Sequence, residues 1–178
     1  MTLTIETTPS SEQTALNLSR WNEILADKEL AELPHRIETD RHGHILMSPP
    51  PAPNHAKKQF RIGSLLEKHL PEGVILTECP ISTADGVKSA DVTWLSPNRA
   101  EEAESATPLT KAPKICVEVL SPGNTASAIE EKRALYFGAG AKEVWICNEN
   151  GKLEFYRQDL PDTPTPSLLC PDFPNLIR

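Results

Sequence analysis

Two acidic residues in apolar surroundings, Asp91 in KSADVTWLSP and Glu118 in KICVEVLSPGN, are the features of this chain best suited to chemistry. Ile115, Cys116, Val117, Val119 and Leu120 surround Glu118 with aliphatic side chains on both alternating faces, the pattern of a strand covered on both sides. An ionised carboxylate there is costly unless a cation meets it. Ser89, Asp91 and Thr93 alternate with Ala90, Val92 and Trp94, which predicts a strand with one polar and one apolar face and Asp91 on the polar one. The acids lie 27 positions apart on successive strands, with enough chain between them for the strands to pair. Two carboxylates ~4 Å apart repel by about 4 kcal/mol at an effective dielectric near 20, so an ion-free pair favours protonation of one member. A hard divalent cation reverses that preference. Mg²⁺ takes carboxylate, water and phosphate oxygens, which matches an Asp/Glu pair with no His or Cys beside it, and Mn²⁺ accepts the same ligands. The reaction class this implies is metal-assisted hydrolysis of a phosphodiester.

Such a site gains from a lysine that orients the nucleophile or offsets phosphate charge. Leu120, next on the Glu118 face, cannot serve. Lys132 can: it comes one helix later, with Ala128, Leu135 and Ala139 at helical spacing, so its stem lies along the sheet-facing side and its ammonium reaches the carboxylates. Lys57, Arg61 and Lys68 share one face of an earlier helix and either contact phosphates or are simply solvated. Glu38 either approaches the acidic pair or lies in an exposed hairpin, and His55 caps or hydrogen-bonds near the start of its helix. His42 and His44 would need a third ligand to hold a metal and read as a turn, which with the cysteine spacing disfavours zinc. Trp94, Tyr136, Phe137 and Trp145 read as core.

The elements that must position these groups follow from periodicity and punctuation. Residues 1–15 are polar and Ser/Thr-rich, a flexible lead. Ser19 caps an expected helix running to Leu33 with Trp21, Ile24, Leu25 and Leu30 apolar, ended by Pro34. A hairpin around Gly43 stops at the prolines 49–51, and a helix follows with Ala56, Phe60, Gly63, Leu66 and Leu70 as its packed stripe. GVILTECPIS and KSADVTWLSP flank an ADG turn, and the acidic NRAEEAESATP is a loop or helical turn before the Glu118 strand. Asn124 or Thr125 caps the Lys132 helix, Gly140 ends it, and KEVWICN, ENG and KLEFYRQ form a hairpin. A proline-rich tail carries one short strand at Ser167 to Cys170. This order predicts an α/β (α+β) sandwich, a mixed central sheet flanked by helices, formed by a single domain over residues 16–178.

A net charge of −7 and a pI near 5.3 argue against broad adhesion to nucleic acid or anionic membrane, though local basic patches remain open. Cys79, Cys116, Cys147 and Cys170 form no CxxC pair and read as small buried thiols of a reducing compartment. The start lacks a signal-peptide pattern and no window is apolar enough to span a bilayer, so the expected location is the cytoplasm, with no membrane partner.

These motifs carry a resemblance. SADVTWLSP, ICVEVLSPGN and EEKRALYFGAGAKEVWICNENGKLEFY resemble the Uma-type endonuclease family of the PD-(D/E)XK, or restriction-endonuclease-like, superfamily, over Leu16 to the C-terminus. The family's PDV strand, (V/I)EVLSP strand, EK…Y…AG helix and EYW strand correspond to Ala90 to Val92, Val117 to Pro122, Glu131 to Gly140, and Glu143 to Trp145, with Ala90 in place of the proline and Leu120 in the usual lysine position. The resemblance implies a restriction-endonuclease-like fold, Asp91, Glu118 and the Val119 carbonyl as Mg²⁺ (or Mn²⁺) ligands, Lys132 as the displaced catalytic lysine, and Glu38 and His55 as supporting residues. It implies cleavage of DNA, and a homodimer would let two such sites cut both strands. The rival expectation is a nuclease-fold module that no longer cuts and acts in binding or assembly, favoured by the acidic charge, the missing in-strand lysine and the lack of a recognisable DNA-targeting domain.

Overall fold

The computed structural model describes residues 6–104 and 106–178. Its element order is α1 (Ser11–Ala26), α2 (Lys28–Ala31), β1 (Arg36–Thr39), β2 (Ile45–Ser48), α3 (Pro53–His69), β3 (Val74–Thr83), β4 (Gly86–Leu95), α4 (Pro97–Ala103), β5 (Ile115–Val119), α5 (Ala126–Gly138), β6 (Glu143–Cys147) and β7 (Leu153–Arg157). Strands β3 to β7 form one sheet in chain order, antiparallel except where β5 and β6, joined through α5, run parallel. Strands β1 and β2 form a separate antiparallel hairpin. The expected mixed sheet between helices is what forms.

Each face of the sheet has its own core. Ile62 and Leu66 of α3 pack with Val92, Trp94, Val117, Trp145 and tail residues Cys170, Phe173 and Ile177. On the other face Tyr136 and Phe137 of α5 pack with Cys79, Ala90, Cys116, Val144 and Ile146. A smaller cluster joins Trp21 and Ile24 of α1 to Val87, with Ile37 and Ile45 of the hairpin against it. This third cluster seats the hairpin on β4. Gly86 completes the seat: its backbone has φ +79, and a side chain there would run into the carbonyls of Thr39 and Asp40.

Several local expectations are corrected. The first helix starts at Ser11, capped by the Ser10 hydroxyl accepting from the Gln13 N–H at 3.0 Å, so residues 11–15 are helical, not part of a lead, and Ser19 is internal. Residues 1–5 of that lead lie outside the described residues. Of the stripe expected on α3, Gly63 and Leu66 are buried but Phe60 is 74% exposed and Ala56 is exposed too; His55, Lys58, Gln59 and Ile62 complete the buried side. Ser167 to Cys170 form no strand; the Glu143 carboxylate holds them instead, accepting from the Ser167 hydroxyl at 2.7 Å and the N–H groups of Leu168 and Leu169 at 2.7 and 2.9 Å. Thr125, not Asn124, caps α5. All four cysteines are buried and free, and among the described residues no helix is long and apolar enough to cross a membrane.

The largest departure lies in β4, whose ten residues are all buried. Its ladder with β3 pairs Thr77 with Val92 and Cys79 with Ala90 but skips Glu78 and Asp91 between them, and Glu78 has φ +51. Ala90 and Val92, two positions apart, therefore pack in opposite cores. The expected polar face of β4 is replaced by a kink with Asp91 at its apex.

Candidate active site

Strands β4 and β5 pair antiparallel at Val92 with Val117, and Asp91 and Glu118 occupy the next positions on each strand. The two sequence-distant acids are thus neighbours, both buried, at 1% and 5% exposure. They line one cleft of about 670 Å³, together with Arg36 and Glu38 of the hairpin, His55 at the start of α3, Val119, and Lys132 of α5. The proline run 49–51 and Ser121 to Asn124 lie along its wall.

Each carboxylate has its own set of partners. One oxygen of Asp91, Oδ2, accepts the Val119 N–H at 2.6 Å and faces His55 Nε2 at 3.3 Å. The other, Oδ1, receives the Arg36 guanidinium, whose Nε and Nη2 also grip Glu78, each at 2.7 Å. Gln59 ties the kink together, donating to Glu78 Oε1 and to the Asp91 backbone carbonyl, both at 2.9 Å. Burial pushes Asp91 up, but the hydrogen bond from His55, the Arg36 charge and the Val119 N–H outweigh it and hold its pKa below the ordinary carboxylate value. His55 is raised in turn by its hydrogen bond to Asp91, against the effect of its burial.

Glu118 accepts the Tyr136 hydroxyl at 2.6 Å and the Lys132 ammonium at 3.2 and 3.3 Å. Lys132 also meets Glu38 at 2.8 Å and the Ser89 carbonyl at 3.2 Å, and Glu38 accepts the Ser89 N–H at 2.8 Å. Burial, then the charges of Asp91 and Glu38, outweigh the attraction of Lys132 and the hydrogen bond from Tyr136, so Glu118 is pushed up to about 7. Burial works against charge on Lys132 as well, yet Glu118 and Glu38 hold its pKa above the ordinary lysine value. This is the asymmetry expected of an ion-free carboxylate pair, with one member ionised and the other easily protonated.

The structure therefore brings together Asp91, Glu118, Val119, Lys132, Glu38 and His55, and it places Glu38 in the cleft instead of an exposed hairpin. Lys57 and Arg61 are exposed and line a second, smaller depression with Asn54, Lys58, Glu149 and Arg178, while Lys68 is exposed and lines neither. His42 and His44 form the expected turn, their N–H groups both donating to Asp40 at 2.9 Å. Four groups of the site went unread in the sequence, Gln59 on the buried side of α3 among them. Arg36 stands two positions from Glu38 on one strand and so shares its face; Glu78 is a second charge inside an apolar strand run; Tyr136 is core, as read, but its hydroxyl reaches Glu118.

Four carboxylates, Glu38, Glu78, Asp91 and Glu118, surround two permanent cations, Arg36 and Lys132, so the cluster carries excess negative charge. Among the described residues no three His, Cys, Asp or Glu side chains converge closely enough to form a metal cage. The arrangement is a carboxylate pair open to a cleft, the form in which a hard cation keeps waters or substrate oxygens in its remaining positions.

Comparison with known proteins bears on this geometry. The chain resembles in fold the crystal structure of "a putative nuclease belonging to DUF820" from Anabaena variabilis, with a TM-score of 0.62, 18% identity, and coverage of 79% of this chain and 86% of that one. No curated protein matches the chain. A family model described as "Putative restriction endonuclease" matches residues 27–176, which contain every cleft residue named above, and the chain belongs to that family, Uma2.

Proposed function

We propose that this protein is a Mg²⁺-dependent endonuclease, also served by Mn²⁺, that hydrolyses DNA phosphodiesters in the cleft between the hairpin and the sheet. The observation that carries the reading is the buried Asp91–Glu118 pair on adjacent strands with the Lys132 ammonium beside it. The donor set fits a hard ion: oxygen ligands only, excess negative charge, and a Glu118 pushed up to about 7 that an ion would hold ionised. Asp91, Glu118 and the Val119 carbonyl would hold it, and the bound ion would supply an activated water and charge stabilisation. The chain's own residues do the rest. The Val119 N–H and His55 fix one Asp91 oxygen, Tyr136 and Lys132 fix Glu118, and Glu38 holds Lys132 beside Glu118, where its ammonium can orient the attacking water and offset phosphate charge. Lys57, Arg61 and Lys68 would contact flanking phosphates, and a homodimer would present two clefts to the two strands.

The test is cleavage of supercoiled plasmid with Mg²⁺ or Mn²⁺ by Asp91→Asn and Glu118→Gln, which keep the shape of each side chain. Each should lose activity by at least ~10²-fold with its circular dichroism unchanged; cleavage at the native rate by either purified variant rejects the assignment. A second reading, a nuclease fold that binds without cutting, draws on Leu120 in the lysine position and on Arg36 seated on Asp91. Mn²⁺ binding that depends on Asp91 and Glu118, together with cleavage, excludes it.

A further inference from the structure

The two oxygens of Asp91 are held in different ways. Oδ2 is fixed by a backbone N–H and by His55 on α3, both anchored in regular elements. Oδ1 is met by a single donor among the described residues, Nη2 of Arg36, at the end of a long side chain from the first residue of β1. Oδ2 already has two donors, so an ion held by Asp91 and Glu118 would take Oδ1 in place of the one donor there, the guanidinium. A guanidinium and a divalent cation repel and cannot share one oxygen comfortably. Arg36 has somewhere to go: its Nε and Nη2 both engage Glu78 at 2.7 Å, so it can leave Asp91 while keeping a bidentate partner. Glu78 is the residue held at φ +51 by the kink, and its side chain is 41% exposed against 1% for Asp91, so the retained pair lies on the solvent side.

We infer that Arg36 is a resident counter-ion that competes with the metal for Asp91 Oδ1, and that Glu78 is the acceptor that keeps the guanidinium when the metal binds. Arg36 and Glu78 are thus positioning residues that set metal affinity. The inference rests on the Asp91–Glu118 metal site proposed above. It makes the apparent affinity depend on the fraction of molecules in which Arg36 has released Asp91.

The experiment is Mn²⁺ titration by calorimetry, repeated by the loss of the free-ion paramagnetic resonance signal, on wild type, Arg36→Met, Glu78→Gln and the double variant. Arg36→Met should bind Mn²⁺ at least ~10-fold more tightly, because Oδ1 is free. Glu78→Gln should bind several-fold more weakly, because Arg36 then has Asp91 as its one anionic partner. In the Arg36→Met background the Glu78 substitution should have little further effect, whereas a mere change in local charge would act equally in both backgrounds. Glu78→Gln, at a half-exposed position, carries the test should Arg36→Met fold poorly. Wild-type Mn²⁺ binding with equal or weaker binding by Arg36→Met, or a Glu78→Gln effect that persists without Arg36, overturns the competition while leaving the metal site standing. No binding by any of the four proteins overturns both.

Discussion

Replacing Glu118 with glutamine should change how the stability of the ion-free protein depends on pH. Buried Glu118 is pushed from an ordinary value of 4.5 up to about 7. The folded protein therefore binds this proton more tightly than the unfolded chain does. That contribution to stability is complete below about pH 4.5 and is lost as the pH rises through 7. At about 1.4 kcal/mol per pKa unit, the loss between pH 4.5 and pH 8 amounts to about 3 kcal/mol. Glutamine has no proton to lose, still accepts the Tyr136 hydroxyl, and leaves Lys132 paired with Glu38 at 2.8 Å. His55, also raised, loses its contribution over the same upper range, but it does so in both proteins and cancels in the comparison. Asp91, held low, acts below pH 4 and lies outside the window. The assay is urea unfolding in EDTA from pH 5 to 8, followed by the fluorescence of Trp21, Trp94 and Trp145. Relative to its own value at pH 5, by which point part of the contribution is already lost, Glu118→Gln should be more stable than wild type at pH 8 by about 2 to 3 kcal/mol. Parallel pH profiles would mean that Glu118 titrates as a solvated carboxylate, and the electrostatic account of the cleft would be wrong.

Glu143→Ala should release the C-terminal tail, because four donors, from Trp145, Ser167, Leu168 and Leu169, converge on that one buried carboxylate. With about 1–3 kcal/mol for each buried group left unpaired, a loss of at least ~3 kcal/mol and rapid thermolysin cleavage beyond residue 157 are expected; an unchanged Tm would show that the tail is held elsewhere. Lys57→Glu combined with Arg61→Glu should weaken duplex binding and lower its salt slope by about one per residue, with Mn²⁺ binding unaffected. An unaltered slope would assign that helix face to solvent.

What could be read in the sequence, and what could not, follows from which physical rule holds at each residue. Glu118 was legible because a charge between aliphatic residues demands a partner, and Lys132 because helical spacing placed it beside the sheet; the structure joins them at 3.2 Å. Glu78 presents the same anomaly in GVILTECPIS, yet its partner Arg36 lies 42 positions away on a hairpin strand of four residues, too short for alternation to show which face looks inward. The face assignment in β4 failed because alternation assumes an unbroken pleat, and the positive φ at Glu78 and the skipped pair with Asp91 break it at the residue that matters most. The third helix was misread for a related reason. Hydrophobicity selects Ala56, Phe60, Gly63, Leu66 and Leu70, of which Gly63 and Leu66 are buried and Leu70 packs on the core, but Ala56 and Phe60 are exposed and His55 and Gln59 are buried in their stead, since the first turns of α3 face the polar cleft and only the later ones face the apolar core. A helix whose inward side changes from site to core buries polar residues at one end and aliphatic ones at the other, so an apolar stripe cannot reveal its orientation. The alternation rule fails at Asp91 and Glu78 because there the chain departs from a uniform core to build the cleft, which ties the failure to residues that the proposed chemistry needs.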